Sequence, residues 1–179
     1  MDKHTLKLLT ARIGRTAVGA STAHNMGPAG TVKAAREFLQ ELDLRAFRVR
    51  TEAAFLKRLD AKTNDLAASL PPSAQHWGSA RKFLNIFIRN CAYNRFVCEE
   101  FGLDALEPWT EVPLDSHVAT GLKGEQEGAH LRRWESVVGL TRINSDALQA
   151  VALAVAKRKG INRVHLDVHY WNGPHTIKS

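Results

Sequence analysis

Cysteine is scarce in this chain: Cys91 and Cys98 are its two thiols in 179 residues. Two thiols cannot fill a four-thiolate iron–sulfur site, and no cofactor is expected. Seven positions apart on one expected helix, their Cα atoms lie roughly 10 Å from each other, too far for a disulfide. Reduced, buried thiols and a reducing compartment follow as the expectation. Long apolar runs are missing too, and none approaches the roughly 20 residues of a membrane helix. The N-terminal Lys3 and Lys7 are followed by no apolar stretch ending in a small-residue cleavage site. The expected location is cytoplasmic or nucleoid-associated, with no membrane partner. Internal repeats, low-complexity tracts and linkers are absent, so residues 1–179 read as a single domain and the chain as a monomer.

What is present suits a globular core: 44% of residues are hydrophobic and 24% charged. Lys plus Arg number 25 against 18 Asp plus Glu, a net charge of 25 − 18 = +7. Such an excess favours polyanionic partners, because each phosphate contact releases condensed counterions.

The apolar residues recur at helical spacing almost throughout. Leu6, Leu9, Ile13 and Ala17 mark a first helix from Lys3 to Val18; Gly27-Pro28 breaks the loop that follows. Thr31 can cap a second helix, and Thr51 opens a third that Pro71-Pro72 stops. Trp77-Gly78-Ser79 reads as a tight connection before the longest helix, about Ser79 to Phe101, with Gly102 as its cap. Shorter helices are expected at His117 to Leu122 and Ala129 to Val138, and another from Asn144 or Ser145 to Gly160. Asn162 to Trp171 alternates like a strand, but no partner strand exists elsewhere, so it is assigned to helix and the fold class is all-α.

Two positions in this pattern bear on chemistry. The glycine-containing turn sets Lys82 in the first turn of the long helix. Thirty-three residues later, after Val112, Pro113 and Leu114, Asp115 occupies a helix N-cap position. The bland alternatives are a solvated lysine and a carboxylate that only caps.

Pro113-Leu114-Asp115-Ser116-His117-Val118 resembles the P-[VL]-D-[ST]-H-V segment of the helix-hairpin-helix DNA glycosylase superfamily. In that superfamily a hairpin precedes a catalytic lysine and the aspartate follows. The usual L-P-G-[VI]-G-x-x-T hairpin is absent; Gln75 to Lys82 stands in its place. The long interval from Lys82 to Asp115 is most similar to the archaeal-type 8-oxoguanine DNA glycosylases. The resemblance covers about 46 residues, Trp77 to Leu122.

It implies a two-lobed, cleft-bearing fold, with a central lobe of about residues 51–122 and the terminal helices forming the second. It implies double-stranded DNA with a flipped base as partner, and removal of a damaged base with AP-lyase chemistry. Lys82 would be the nucleophile and Asp115 its electrostatic partner. Burial and the helix N-terminus would keep the Lys82 amine neutral. Phosphate contacts are expected from Gly78, Ser79, Arg81, Arg89, His117 and Lys123, through helix N-terminal N–H groups and side-chain charge. Trp77, Phe83, Trp109, Asp167 and Trp171 are the candidates for the base pocket.

Two other readings stay open. A catalytically inactive helical DNA-binding or regulatory module would keep the charge and lose the chemistry. A metal-dependent hydrolase would use His165, Asp167 and His169, with His175 nearby, since His165 and His169 stand at i, i+4 on a helix. His24 and Asn25, in the long Gly/Pro loop, are candidates for DNA contact or base recognition.

Overall fold

The computed structural model describes residues 1–172, and these contain helices and no strand. Eight α-helices follow one another: α1 (Lys3–Ala17), α2 (Thr31–Glu41), α3 (Glu52–Ser69), α4 (Trp77–Tyr93), α5 (Arg95–Phe101), α6 (Ser116–Gly124), α7 (Arg142–Lys159) and α8 (Leu166–Trp171). None is long and apolar enough to cross a membrane. The all-α assignment holds, including the ambiguous last segment.

Local chemistry explains most boundaries. Asp2 caps α1 by accepting from the Thr5 N–H, and Thr51 caps α3 by accepting from Ala54 N–H. Leu70-Pro71-Pro72 then closes α3, and α4 folds back along it: Arg81 of α4 reaches Asp60 and Thr63 of α3. At Thr31 the expectation shifts by one residue. Gly30, at φ +96°, is the cap, and the Thr31 hydroxyl donates to the Pro28 carbonyl instead.

Three expected elements differ. The long helix starts at Trp77 rather than Ser79 and breaks at Asn94, whose backbone is extended. The Asn94 side chain accepts from the Val97 N–H and so starts α5 afresh; asparagine competes with the helix ladder in this way. Lys82 therefore lies in the second turn of α4, and Cys91 and Cys98, both free thiols, sit on different helices. No helix forms at 129–138. That stretch runs irregularly, burying Leu131, Val137 and Leu140 and half-burying Trp134. A spacing of three belongs equally to a helix face and to an extended three-fold path. Finally, α7 starts at Arg142, capped by Thr141, and Ser145 is buried inside it.

The apolar side chains form two clusters, divided by chain order. Leu6 to Leu106 gather α1–α5, joined by Val137. Val112 to Leu166 gather α6–α8 and Leu140, and Trp134 packs against both. The first 50 residues pack on α3 to α5 in the larger cluster. Within the smaller cluster α8 is held very close to α6. A Cβ on Gly121 would fall 2.3 Å from the Tyr170 ring, so glycine is needed for that approach.

Candidate active site

Between the two clusters the chain runs extended from Thr110 to Leu114 without a neighbouring strand, and side chains supply the missing hydrogen bonds. Gln149 of α7 bridges both backbone groups of Val112: its amide donates to the carbonyl at 2.8 Å and its oxygen accepts from the N–H at 3.2 Å. Arg163 donates to the carbonyls of Trp109 and Thr110. Glu111, 2% exposed, accepts from Arg81 and Asn85 of α4. A buried backbone without such partners would be costly, so this segment is fixed in position.

The segment delivers Asp115 to the start of α6. One carboxylate oxygen, Oδ1, accepts from the N–H groups of His117 and Val118; the other, Oδ2, accepts from the Trp171 indole N–H at 3.1 Å. That second oxygen also faces the Lys82 ammonium at 4.0 Å. Lys82 is buried, and among the described residues its one hydrogen bond, at 3.3 Å, goes to the Thr22 carbonyl in the loop after α1. Burial holds the Lys82 amine below the usual lysine range, while the Asp115 charge pulls in the opposite direction.

Lys82, Asp115 and Trp171 stand at the junction of two parts of one open cleft. The first part, about 330 Å³, extends along α4 past Ile86, Arg89 and Asn90 and is bounded by Thr16, Ser21 and Thr22. Arg89 is ion-paired with Asp167 of α8 on its wall, and burial lowers the Arg89 pKa. The second part, about 500 Å³, lies between the loop at His24–Met26, the irregular stretch Trp134–Val138, and Ser116 and His117. The His117 ring lies against that of Trp171, with centroids 4.2 Å apart. Asn25 adopts a left-handed backbone at φ +59°, a conformation asparagine tolerates better than most residues.

The structure therefore brings Lys82, Asp115, Arg89, His117, Asp167 and Trp171 together at one cleft, and His24 and Asn25 with them. It places the others elsewhere. Gly78 and Ser79 are buried beneath residues 137–140, where a Cβ on Gly78 would lie 2.1 Å from the Val137 carbonyl oxygen. Gly78 and Ser79, in the first turn of α4, are thus covered. Arg81 is 3% exposed and spends its guanidinium on Glu111, Asp60 and Thr63. Trp77 lies under that guanidinium, Phe83 is wholly buried in the larger core, and Trp109 packs on Phe55. None of these three lines the cleft. Lys123, exposed, donates to the Leu131 carbonyl.

The metal-ligand reading loses its geometry. His165 is held by Glu107 and Tyr93 at 2.8 Å each, Asp167 is paired with Arg89, and His169 is exposed. Among the described residues no three His, Cys, Asp or Glu side chains converge as ligands. His175 lies outside the described residues.

Sequence reasoning missed Ile86, Asn90 and Trp134. The first two carried a readable signal: at four and eight residues from Lys82 they share its helix face. Trp134 carried none, because its segment was assigned to the wrong element.

Comparison of the chain with protein-family models, with curated proteins and with solved structures finds no match.

Proposed function

We propose that this cleft is the active site of a base-excision DNA glycosylase with AP-lyase activity. The observation that carries the reading is the Lys82–Asp115 pair. Two residues 33 apart, selected by a motif resemblance, meet at 4.0 Å in an open cleft. Further support comes from burial, which favours the neutral, nucleophilic form of the amine.

The chemistry is as follows. Neutral Lys82 Nζ attacks C1′ of the flipped nucleotide, the N-glycosidic bond breaks, and its electron pair leaves with the base, which takes up a proton. Positive charge on the sugar in the transition state faces the Asp115 carboxylate. Ring opening gives a Schiff base on Lys82, and loss of the C2′ proton then expels the 3′ phosphate. The part of the cleft lined by Arg89, Asn90, Asp167 and Trp171 receives the base. Trp171 offers a ring face, and the polar groups offer both donors and acceptors. By the resemblance, 8-oxoguanine is the leading substrate.

Borohydride trapping tests this on duplexes carrying 8-oxoguanine, uracil, thymine glycol or an abasic site. Wild type is expected to form a covalent adduct, and Lys82→Gln to lose at least about a hundredfold of it. An adduct that persists in Lys82→Gln moves the nucleophile to another amine. No adduct and no base release on any duplex would overturn the reading and leave a DNA-binding module without chemistry.

A further inference from the structure

In the resemblance, the hairpin before the catalytic lysine grips the DNA backbone through helix N-terminal N–H groups. Here Gly78 and Ser79, in the first turn of that helix, are buried under residues 137–140. A DNA-processing cleft still needs phosphate contacts to hold the duplex in register, so the charge must lie on another element.

The cations of this chain differ in whether carboxylates among the described residues neutralise them, and exposed unpaired ones such as Arg50, Lys57, Arg58, Arg132 and Arg133 are scattered singly or in twos. At the end of α7, Arg158 is paired with Glu125 and Glu127, and Lys159 with Glu125. Arg81, Arg89, Arg95 and Arg142 are also paired with carboxylates. Helix α1 is the opposite case. It carries Lys3, Lys7, Arg12 and Arg15 and no acidic residue. All four are exposed, and none forms an ion pair among the described residues. Four uncompensated charges on one 15-residue helix are more than half of the chain's net +7.

The helix also points at the right place. Its last turn, Thr16 and Ala17, lines the first part of the cleft, and the loop after it supplies the carbonyl that holds Lys82. Arg12 lies one turn before Thr16 on the same side. From Lys3 to Arg15 the charges span roughly 18 Å along the axis, the reach of several consecutive phosphates; Lys3 and Lys7 stand at one edge of the exposed half of the helix, and Arg15 and Arg12 further round towards the other.

We infer that the exposed face of α1 is the docking surface for the DNA backbone, a phosphate track that leads the strand into the Lys82 cleft. The occupant is the sugar–phosphate backbone of duplex DNA. A basic amphipathic helix also suits an anionic lipid surface, but the apolar side of α1 is already used: Leu6, Ile13 and Ala17 are buried in the larger core. The inference builds on the DNA reading above but does not depend on its chemistry.

Its test therefore uses an unmodified duplex, which needs no base excision. Binding of the full chain to a fluorescent 20-base-pair duplex would be titrated at several salt concentrations. The comparison is between a quadruple variant (K3Q, K7Q, R12Q, R15Q) and a control that also removes four exposed cations (K33Q, R50Q, K57Q, R58Q). The α1 variant is expected to bind on the order of tenfold or more weakly at about 0.1 M salt. Its slope of log affinity against log salt should be shallower by up to about 0.9 for each phosphate that α1 no longer neutralises. The control should change both far less. Circular dichroism of both variants checks that they remain folded. Equal loss in the two quadruple variants would overturn the inference, as it would mean diffuse charge attraction. So would wild-type binding to phosphatidylglycerol vesicles at salt concentrations where it does not bind the duplex. If trapping fails on every lesion while the α1 variant alone loses duplex affinity, the surface stands and the glycosylase reading falls.

Discussion

Arg81 and Lys82 are neighbours on α4, and both reach carboxylates delivered by the same extended segment, Glu111 for one and Asp115 for the other. Their surroundings differ completely. Arg81 donates to Glu111, Thr63 and Asp60 at 2.7–3.0 Å, lies over Trp77, and is sealed from solvent. Lys82 has one 3.3 Å bond to a carbonyl and a carboxylate at 4.0 Å, and it opens onto a cleft. The first pair is saturated and ties α3, α4 and the 110–114 segment together. The second is left short of partners among the described residues. One helical step of about 100° separates a saturated charge from an unsaturated one.

The sharpest break in that comparison is to remove each cation in turn. Arg81→Met leaves Glu111 buried and charged with only Asn85 as side-chain donor, and the expected loss is about 3–5 kcal/mol in denaturant unfolding. Lys82→Met is expected to do the reverse and add up to about 1 kcal/mol, because a buried and poorly partnered amine is removed. The sign follows from the lowered Lys82 pKa. A lysine whose folded pKa lies below its unfolded value weighs against folding most at pH values below both. The gain should therefore shrink as the pH rises from neutrality through the folded pKa. A loss of stability in Lys82→Met would place it with Arg81 as a structural charge.

A smaller effect is expected where both pairs are supported from behind. Gln149→Leu leaves the Val112 N–H and carbonyl without their partners and should cost about 1–3 kcal/mol. Because Asp115 is three residues further on, the variant should also lose on the order of tenfold in borohydride-trapped adduct, a misplacement effect at the cleft. Full adduct yield in a destabilised Gln149→Leu protein would show that Asp115 is positioned by its cap alone.

Much of this arrangement was legible in the residues. Thr51, the proline pair after Leu70 and Gly102 mark element ends by local chemistry, and Asp115 announces its own cap. The Lys82–Asp115 meeting was legible through spacing and motif, and Trp171 and Asp167 through their place on the last helix. The burial of Arg81 was not, since it depends on Asp60 and Glu111, residues 21 positions back and 30 ahead, arriving together. Nor was the cover over Gly78. It is laid down by residues 137–140, in a stretch whose buried positions at every third residue fit a helix and an extended path alike. The same stretch carries Trp134 into the cleft, so one misassigned element hid both a wall of the site and the closing of an expected phosphate site.

The finest test of the comparison asks whether the Lys82 amine feels Asp115 at all, given that 4.0 Å is the limit of an ion pair. Two influences act on that amine in opposite directions: burial lowers its pKa, and the Asp115 charge raises it. Attack on C1′ needs the neutral amine, so in wild type the rate of adduct formation on an abasic-site duplex should rise with pH through the Lys82 pKa. Asp115→Asn removes the influence that raises it and leaves burial in place. The whole rise should therefore move to lower pH in the variant, even though its maximum rate falls because the charge facing the sugar is gone. The carboxamide oxygen of that variant can still accept from the His117 and Val118 N–H groups, so α6 keeps its cap, and the pH profile reads the carboxylate charge rather than a lost fold. A profile that drops in height without moving would mean that Asp115 acts on the sugar alone. One that moves to higher pH would run against both influences on the Lys82 amine and would mean that the group whose titration the profile reads is not Lys82.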